Sequence, residues 1–295
     1  MIRSTKFTLI AALFLFGSLI SCNNDETSIS DDILDETTFA ENVFEQLSAD
    51  VDDVTFDADN IGGRTSDGDV EGYQKPMHRF GYSGCATITK ESPDDAYFPI
   101  VITIDFGEGC ESYFQQVIKS GKIIITLTGR MKDAGSERIV TFENFYVNGN
   151  HIEGVRTTTN IGEGSFTCTL VGGRITTSDG DIITRDSRRL RKLISGADTD
   201  ERWDDVYEIT GSATGKIKEL VYNKDITKAL IRSKDCFWIT SGTIETTIGD
   251  SLIITDFGDG TCDNIATRDI DGEVEEITMG CHIWKFKHRI RHWLN

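Results

Sequence analysis

The chain has 295 residues, 49 of them acidic and 30 basic, giving a formal charge of −19 at neutral pH. So acidic a polypeptide repels phosphate backbones and anionic headgroups, which argues against nucleic acid as a partner. Its length provides for one large β domain or two small ones.

The first residues, MIRSTKFTLIAALFLFGSLISC, join a short basic stretch carrying Arg3 and Lys6 to an apolar run. That run, about 14 residues, has the length of a signal-peptide core and is too short for a comfortable membrane span. The closing Leu19-Ile20-Ser21-Cys22 resembles the bacterial lipobox, in which cleavage before the cysteine exposes it for acylation. Residues 1–21 are therefore expected to be a lipoprotein signal peptide, with Cys22 as the lipidated N-terminus that ties the protein to a membrane. The alternative is an ordinary secretory peptide cut elsewhere, with Cys22 in a disulfide.

Residues 22–35 form an acidic tether, NNDETSISDDILD after the cysteine, which resembles the surface-export signal of Bacteroidota lipoproteins. From 36 to 54 the apolar residues Phe39, Val43, Phe44, Leu47, Val51 and Val54 recur at spacings of three and four, predicting a short helix with Asp35 or Thr37 as its cap. Residues 55–78 are rich in Asp and Gly without periodicity and read as a linker. Its Asp57, Asp59 and Gly62 invite comparison with a calcium loop, but Ile61 stands where an oxygen ligand is needed.

From 79 to 281 the chain alternates apolar and polar residues, as in IVITIDF, KIIITLTGR, SFTCTLVG and SLIITDF. This is the half-buried strand pattern, placing Ile100, Ile102, Ile104 and Phe106 on one face and Val101, Thr103 and Asp105 on the other. Asn148-Gly149, Asp179-Gly180 and Asp271-Gly272 supply hairpin turns. The fold class predicted is all-β, mainly an antiparallel meander of roughly 11 to 14 strands curled or paired face to face to hide its apolar side. Residues 282–295 form a basic, aromatic tail.

Two segments of this domain repeat one another. Cys85 opens a strand–loop–strand unit closed by DFGEGC at Cys110, and Cys236 opens another closed by DFGDGTC at Cys262. If each unit is a hairpin, its two ends lie side by side, bringing Cys85 to Cys110 and Cys236 to Cys262 in an internally duplicated, disulfide-closed element. Loops of this length give about 3.5 kcal/mol each in the chain-entropy account. With Cys22 acylated, six cysteines remain, so pairing by elimination joins Cys168 to Cys281. Cys168 alternates with Phe166 and Leu170 and also fits an unpaired, buried thiol.

The succession TIDFGEGC, SGKIIITLTGR, TFENFYVNGNHIEGVRTTTN, WDDVYEITGSATG, SGTIE and DFGDGTCDNIAT, over roughly residues 35 to 278, resembles an uncharacterised family of Bacteroidota outer-membrane lipoproteins. The resemblance implies export, lipid anchoring and a β-rich body, without an established activity.

Signatures of catalysis are missing from the chain: it has no G-x-S-x-G elbow, H-E-x-x-H helix or P-loop. Asp256, Asp259 and Asp263 surround the second Gly-rich turn in a pattern that calcium would use, although acidic turns commonly hold no ion. His282, His288 and His292 lie together in the basic tail. In RDSRRLRKL, alternation puts Arg185, Arg189 and Arg191 on one strand face and Arg188 and Lys192 on the other, with Asp204 and Asp205 as candidate internal partners. No metal, cofactor or catalytic residue is assigned. The expectation is a non-catalytic binding or scaffolding lipoprotein of the outer membrane, surface-exposed, with a surface glycan or a protein as ligand. The alternative is a carbohydrate-active hydrolase using paired carboxylates.

Overall fold

The computed structural model describes residues 31–61, 85–93, 97–112, 117–199, 204–236 and 238–279. Cys22, the signal segment, most of the linker, Cys281 and the basic tail lie outside the described residues. Among these residues one helix, α1 (Asp31–Ile61), is followed by fourteen strands. They are β1 (Thr87–Glu91), β2 (Ile100–Asp105), β3 (Cys110–Ser112), β4 (Val117–Leu127), β5 (Glu137–Val147), β6 (Asn150–Gly162) and β7 (Ser165–Thr176). The remainder are β8 (Ile182–Ser195), β9 (Val206–Ile217), β10 (Leu220–Ser233), β11 (Ser241–Ile248), β12 (Ser251–Asp259), β13 (Ile265–Ile270) and β14 (Glu273–Thr278).

All strands join one antiparallel meander in which neighbours in sequence are neighbours in space, except that β3 pairs with β4 beside β2. The sheet is not closed into a barrel. Turn chemistry sets the register. Asn148 and Gly149 both take positive φ in the two-residue β5–β6 turn, as do Asp271 and Gly272 between β13 and β14. Lys218 does the same between β9 and β10, where no Gly or Asn announces it.

A sheet with one apolar face must cover it, and α1 is the cover. Ile100, Ile102, Ile104 and Phe106 are buried, as alternation predicts, and share one core with Val43, Phe44, Leu47 and Val51 of the helix. Phe39 and Val54 pack against that core while partly exposed. The helix exceeds the expected 36–54 at both ends. Ile33 and Leu34 are buried before it, and Thr55 is buried after it with its hydroxyl donating to the Val51 carbonyl. Burial against the sheet outweighs the poor helix propensity of the Asp-rich flanks. Thr37 consequently lies inside the helix, donating to the Leu34 carbonyl at 2.8 Å, and caps nothing. Asp57 and Asp59 are helical rather than in a linker loop. No helix among the described residues is long and apolar enough to cross a membrane.

Both expected disulfides are formed. Cys85–Cys110 closes the β1–β2 hairpin and Cys236–Cys262 closes the β11–β12 hairpin, with Cα separations of 5.5 and 5.8 Å. The repeated letters also make the same local turn. The Gly107 amide donates to Asp105 Oδ1 and the Gly258 amide to Asp256 Oδ1, each at 2.8 Å. Glycine is favoured because both positions take positive φ. Among the described residues Cys168 carries a free, half-buried thiol, 3.8 Å from the Thr158 hydroxyl.

Candidate functional site

Ionisable side chains concentrate between α1 and the inner face of the sheet. The alternation of β8 puts Arg185, Arg189 and Arg191 on one face, as the sequence predicts, and that face is the inner one, while Arg188 and Lys192 face outward. Their partners are not Asp204 and Asp205. Asp204 accepts from the Thr199 hydroxyl and Asp205 from the Tyr207 hydroxyl, both near the β8–β9 connection. Arg191 instead lies over the rings of Phe166 and Tyr207, 5.0 and 4.8 Å from their centroids.

The partners of Arg185 and Arg189 come from the helix. Arg189 donates through Nη2 to Glu41 Oε1 at 2.6 Å and through Nη1 to Glu45 Oε1 at 2.7 Å. Glu41 also receives Lys224 Nζ from β10 at 2.8 Å and lies 3.5 Å from Arg185 Nη2. Arg185 is 2 % exposed, and its Nη1 has no hydrogen-bond partner among the described residues. Further along, Arg156 of β6 donates to the Phe44 carbonyl at 3.1 Å, and Arg138 of β5 donates to the Thr55 hydroxyl at 2.9 Å. At the other end Glu36 meets Lys218, in the β9–β10 turn, at 3.1 Å. From Glu36 to Thr55 the partners thus run from β10 back to β5. The helix crosses the strands obliquely, because about 28 Å of helical rise covers roughly five strand spacings.

Burial acts first on Glu41 and would raise its pKa. Lys224, Arg185 and Arg189 together outweigh it and hold the carboxyl well below the usual range. Burial also raises Glu45, and Arg189 and Arg156 reverse the shift so that it too lies low. With 40 % of its side chain exposed, Glu45 contributes less than Glu41. Lys224 is lowered, first by burial, against the pull of Glu41, with Arg185 and Arg189 adding to the fall. Tyr222, whose hydroxyl donates to the Thr184 carbonyl, is raised by burial despite Arg185.

This arrangement holds two elements together, helix and sheet. The cleft between Phe44, Leu47 and Val51 of α1 and Arg138, Val140 and Arg156 of the sheet has room for about one water molecule. Around the second Gly-rich turn the acids do not converge. Asp256 accepts from the Thr243 hydroxyl and the Gly258 amide, Asp259 from the amide and hydroxyl of Thr261, and Asp263 from the Ile265 amide. No group of His, Cys, Asp and Glu suited to a metal ion occurs among the described residues. His282, His288 and His292 lie outside them, as does the partner assigned to Cys168.

Sequence reasoning missed Glu41 and Glu45. Their one signal is the spacing of four on the flank of the apolar stripe, a repulsive like-charge pair that a bridging cation relieves. Comparison of the chain with protein-family models, with curated proteins and with solved structures finds no match.

Proposed function

We propose that the protein is a lipoprotein of the outer membrane, anchored through acylated Cys22 and exposed at the cell surface, whose β body binds or scaffolds without catalysis. The observation that carries this reading is Leu19-Ile20-Ser21-Cys22 behind a short apolar run, nine residues ahead of a helix built into the core. The two disulfides favour a compartment outside the reducing cytosol. Support for a non-catalytic body comes from the ionisable groups of the inner face, where Glu41, Glu45, Arg185, Arg189 and Lys224 bond across the helix–sheet boundary. A ligand would then meet the outer face or the edges of the sheet, and a surface glycan or a protein is the class expected there.

Membrane fractionation combined with protease treatment of intact cells tests the proposal. The protein should partition with outer membranes and be digested from outside. Recovery as an unlipidated soluble protein would reject it.

A further inference from the structure

We infer that one end of the sheet is a lipid-facing rim, which rests on the bilayer beside the anchor and contacts zwitterionic headgroups. This inference rests on the acylation of Cys22 proposed above and adds an orientation to it.

The meander places the β5–β6, β7–β8, β9–β10, β11–β12 and β13–β14 turns at the same end of the strands. The helix begins at this end, since Glu36 pairs with Lys218 in the β9–β10 turn. Eight residues lie between Cys22 and Asp31, a reach of about 30 Å when fully extended. The fourteen residues of β8 alone span about 46 Å, so the opposite end of the sheet is the far end from the anchor. A lipid at Cys22 therefore brings this rim, and not the other end, to the membrane.

The rim also has the surface such a contact needs. Ile118, Tyr146, Ile182, Leu220, Val221 and Leu252 are all between 38 and 51 % exposed, and all lie within two residues of the rim ends of their strands or in adjoining register. Register makes them neighbours. Tyr146 faces His151, His151 faces Thr176, and Thr176 faces Ile182, so four adjacent strands present one band. Ile118 adjoins it through its amide, which donates to Asn148 Oδ1 in the β5–β6 turn. Val221 continues the band opposite Lys216, and the β11–β12 turn closes on it, the Gly249 amide donating to the Val221 carbonyl at 3.4 Å. Tyrosine and branched aliphatic side chains at the end of a structure suit the boundary between acyl chains and water. Charge selects the headgroup. Asp179, Asp181, Glu219 and Asp250 occupy the turns beside Lys216 and Lys218, which disfavours an anionic surface and fits a zwitterionic one.

The test uses the acylated full chain on phosphatidylcholine vesicles whose acyl chains carry bromine, a short-range quencher of tryptophan. Val221→Trp and Ile182→Trp add a fluorophore at the rim, and Ile194→Trp adds one at the far end of β8. All three sites are exposed and tolerate the change. Relative to the unsubstituted protein, the added emission should be lost for the two rim variants, kept for Ile194→Trp, and less quenched when phosphatidylglycerol is mixed in. A protein that co-floats with the vesicles yet keeps the added emission at both rim sites overturns the rim while leaving the anchor intact. A protein that does not co-float overturns both.

Discussion

Arg189 of β8 binds two carboxylates at once, Glu41 at 2.6 Å and Glu45 at 2.7 Å, one helical turn apart on α1. A like-charge pair that would weaken an isolated helix is thereby turned into the feature that fixes α1 on the sheet. Because Lys224 and Arg185 converge on the same Glu41, that carboxylate is the centre of the cluster.

Removing the centre and removing one cation should differ sharply. Glu41→Gln leaves Arg185, Arg189 and Lys224 facing one another without their shared counter-ion and is expected to cost about 3 kcal/mol, since unpairing buried charge is strongly destabilising. Arg185→Met removes a buried cation whose Nη1 has no partner among the described residues, leaving Glu41 two others, and should lie within about 1 kcal/mol of the parent protein. Urea unfolding of both variants checks this. Equal losses would contradict the hierarchy.

The same cluster predicts acid sensitivity. The carboxyls of Glu41 and Glu45 lie lower in the folded chain than in the unfolded one. Their contribution is therefore complete above about pH 5 and is lost as pH falls toward their folded values, because the unfolded state binds protons first. The double variant Glu41→Gln/Glu45→Gln should start less stable at neutral pH and decline less between pH 5 and 3. Parallel curves for parent and variant would show that other groups govern the acid limb.

Each disulfide closes a hairpin with a sequence separation of 25 or 26, so opening either should cost about 3.5 kcal/mol. For a domain of this size that corresponds to a fall of about 10 °C in Tm. Paired Cys→Ser variants, measured by calorimetry, give the two values separately. Cys85–Cys110 holds the edge strand β1, so its loss should also expose Thr87–Glu91 to proteolysis. Cys236–Cys262 closes a hairpin flanked on both sides, so its loss should lower Tm without that local cleavage.

Gly121 on β4 takes φ +79, and a Cβ there would collide with the Asn144 carbonyl oxygen on β5. Both the backbone conformation and the close approach demand glycine. Gly121→Ala should cost about 1–3 kcal/mol, whereas Gly180→Ala, with positive φ but open space around it, should cost less. Thermal unfolding of the two variants separates the contributions of strain and contact.

Much of this fold was legible from local pattern. Ile100, Ile102, Ile104 and Phe106 alternate in the sequence and are buried in the structure, and the Cys-to-Cys spacing anticipates both hairpin closures. That Arg185, Arg189 and Arg191 share a strand face was equally visible, because period-two patterning survives tertiary context, but that the face is the inner one was not. Their partners were not visible. Glu41 stands 148 positions before Arg189, and only the route of the meander across the helix joins them. The nearby Asp204 and Asp205 were the natural candidates by proximity in sequence, but local hydroxyls occupy them. The helix ends were misjudged for a related reason. Asp-rich flanks argue for a loop, whereas burial of Ile33, Leu34 and Thr55 against the sheet supplies what propensity lacks.

Mass spectrometry of protein isolated from its native membrane decides whether acylated Cys22 is the anchor of a disulfide-closed β body. Expected are a chain lacking residues 1–21, an N-terminal peptide carrying fatty acyl mass on Cys22, and linked peptides joining Cys85 to Cys110 and Cys236 to Cys262. An intact or differently cleaved N-terminus with an unmodified Cys22 thiol would contradict it.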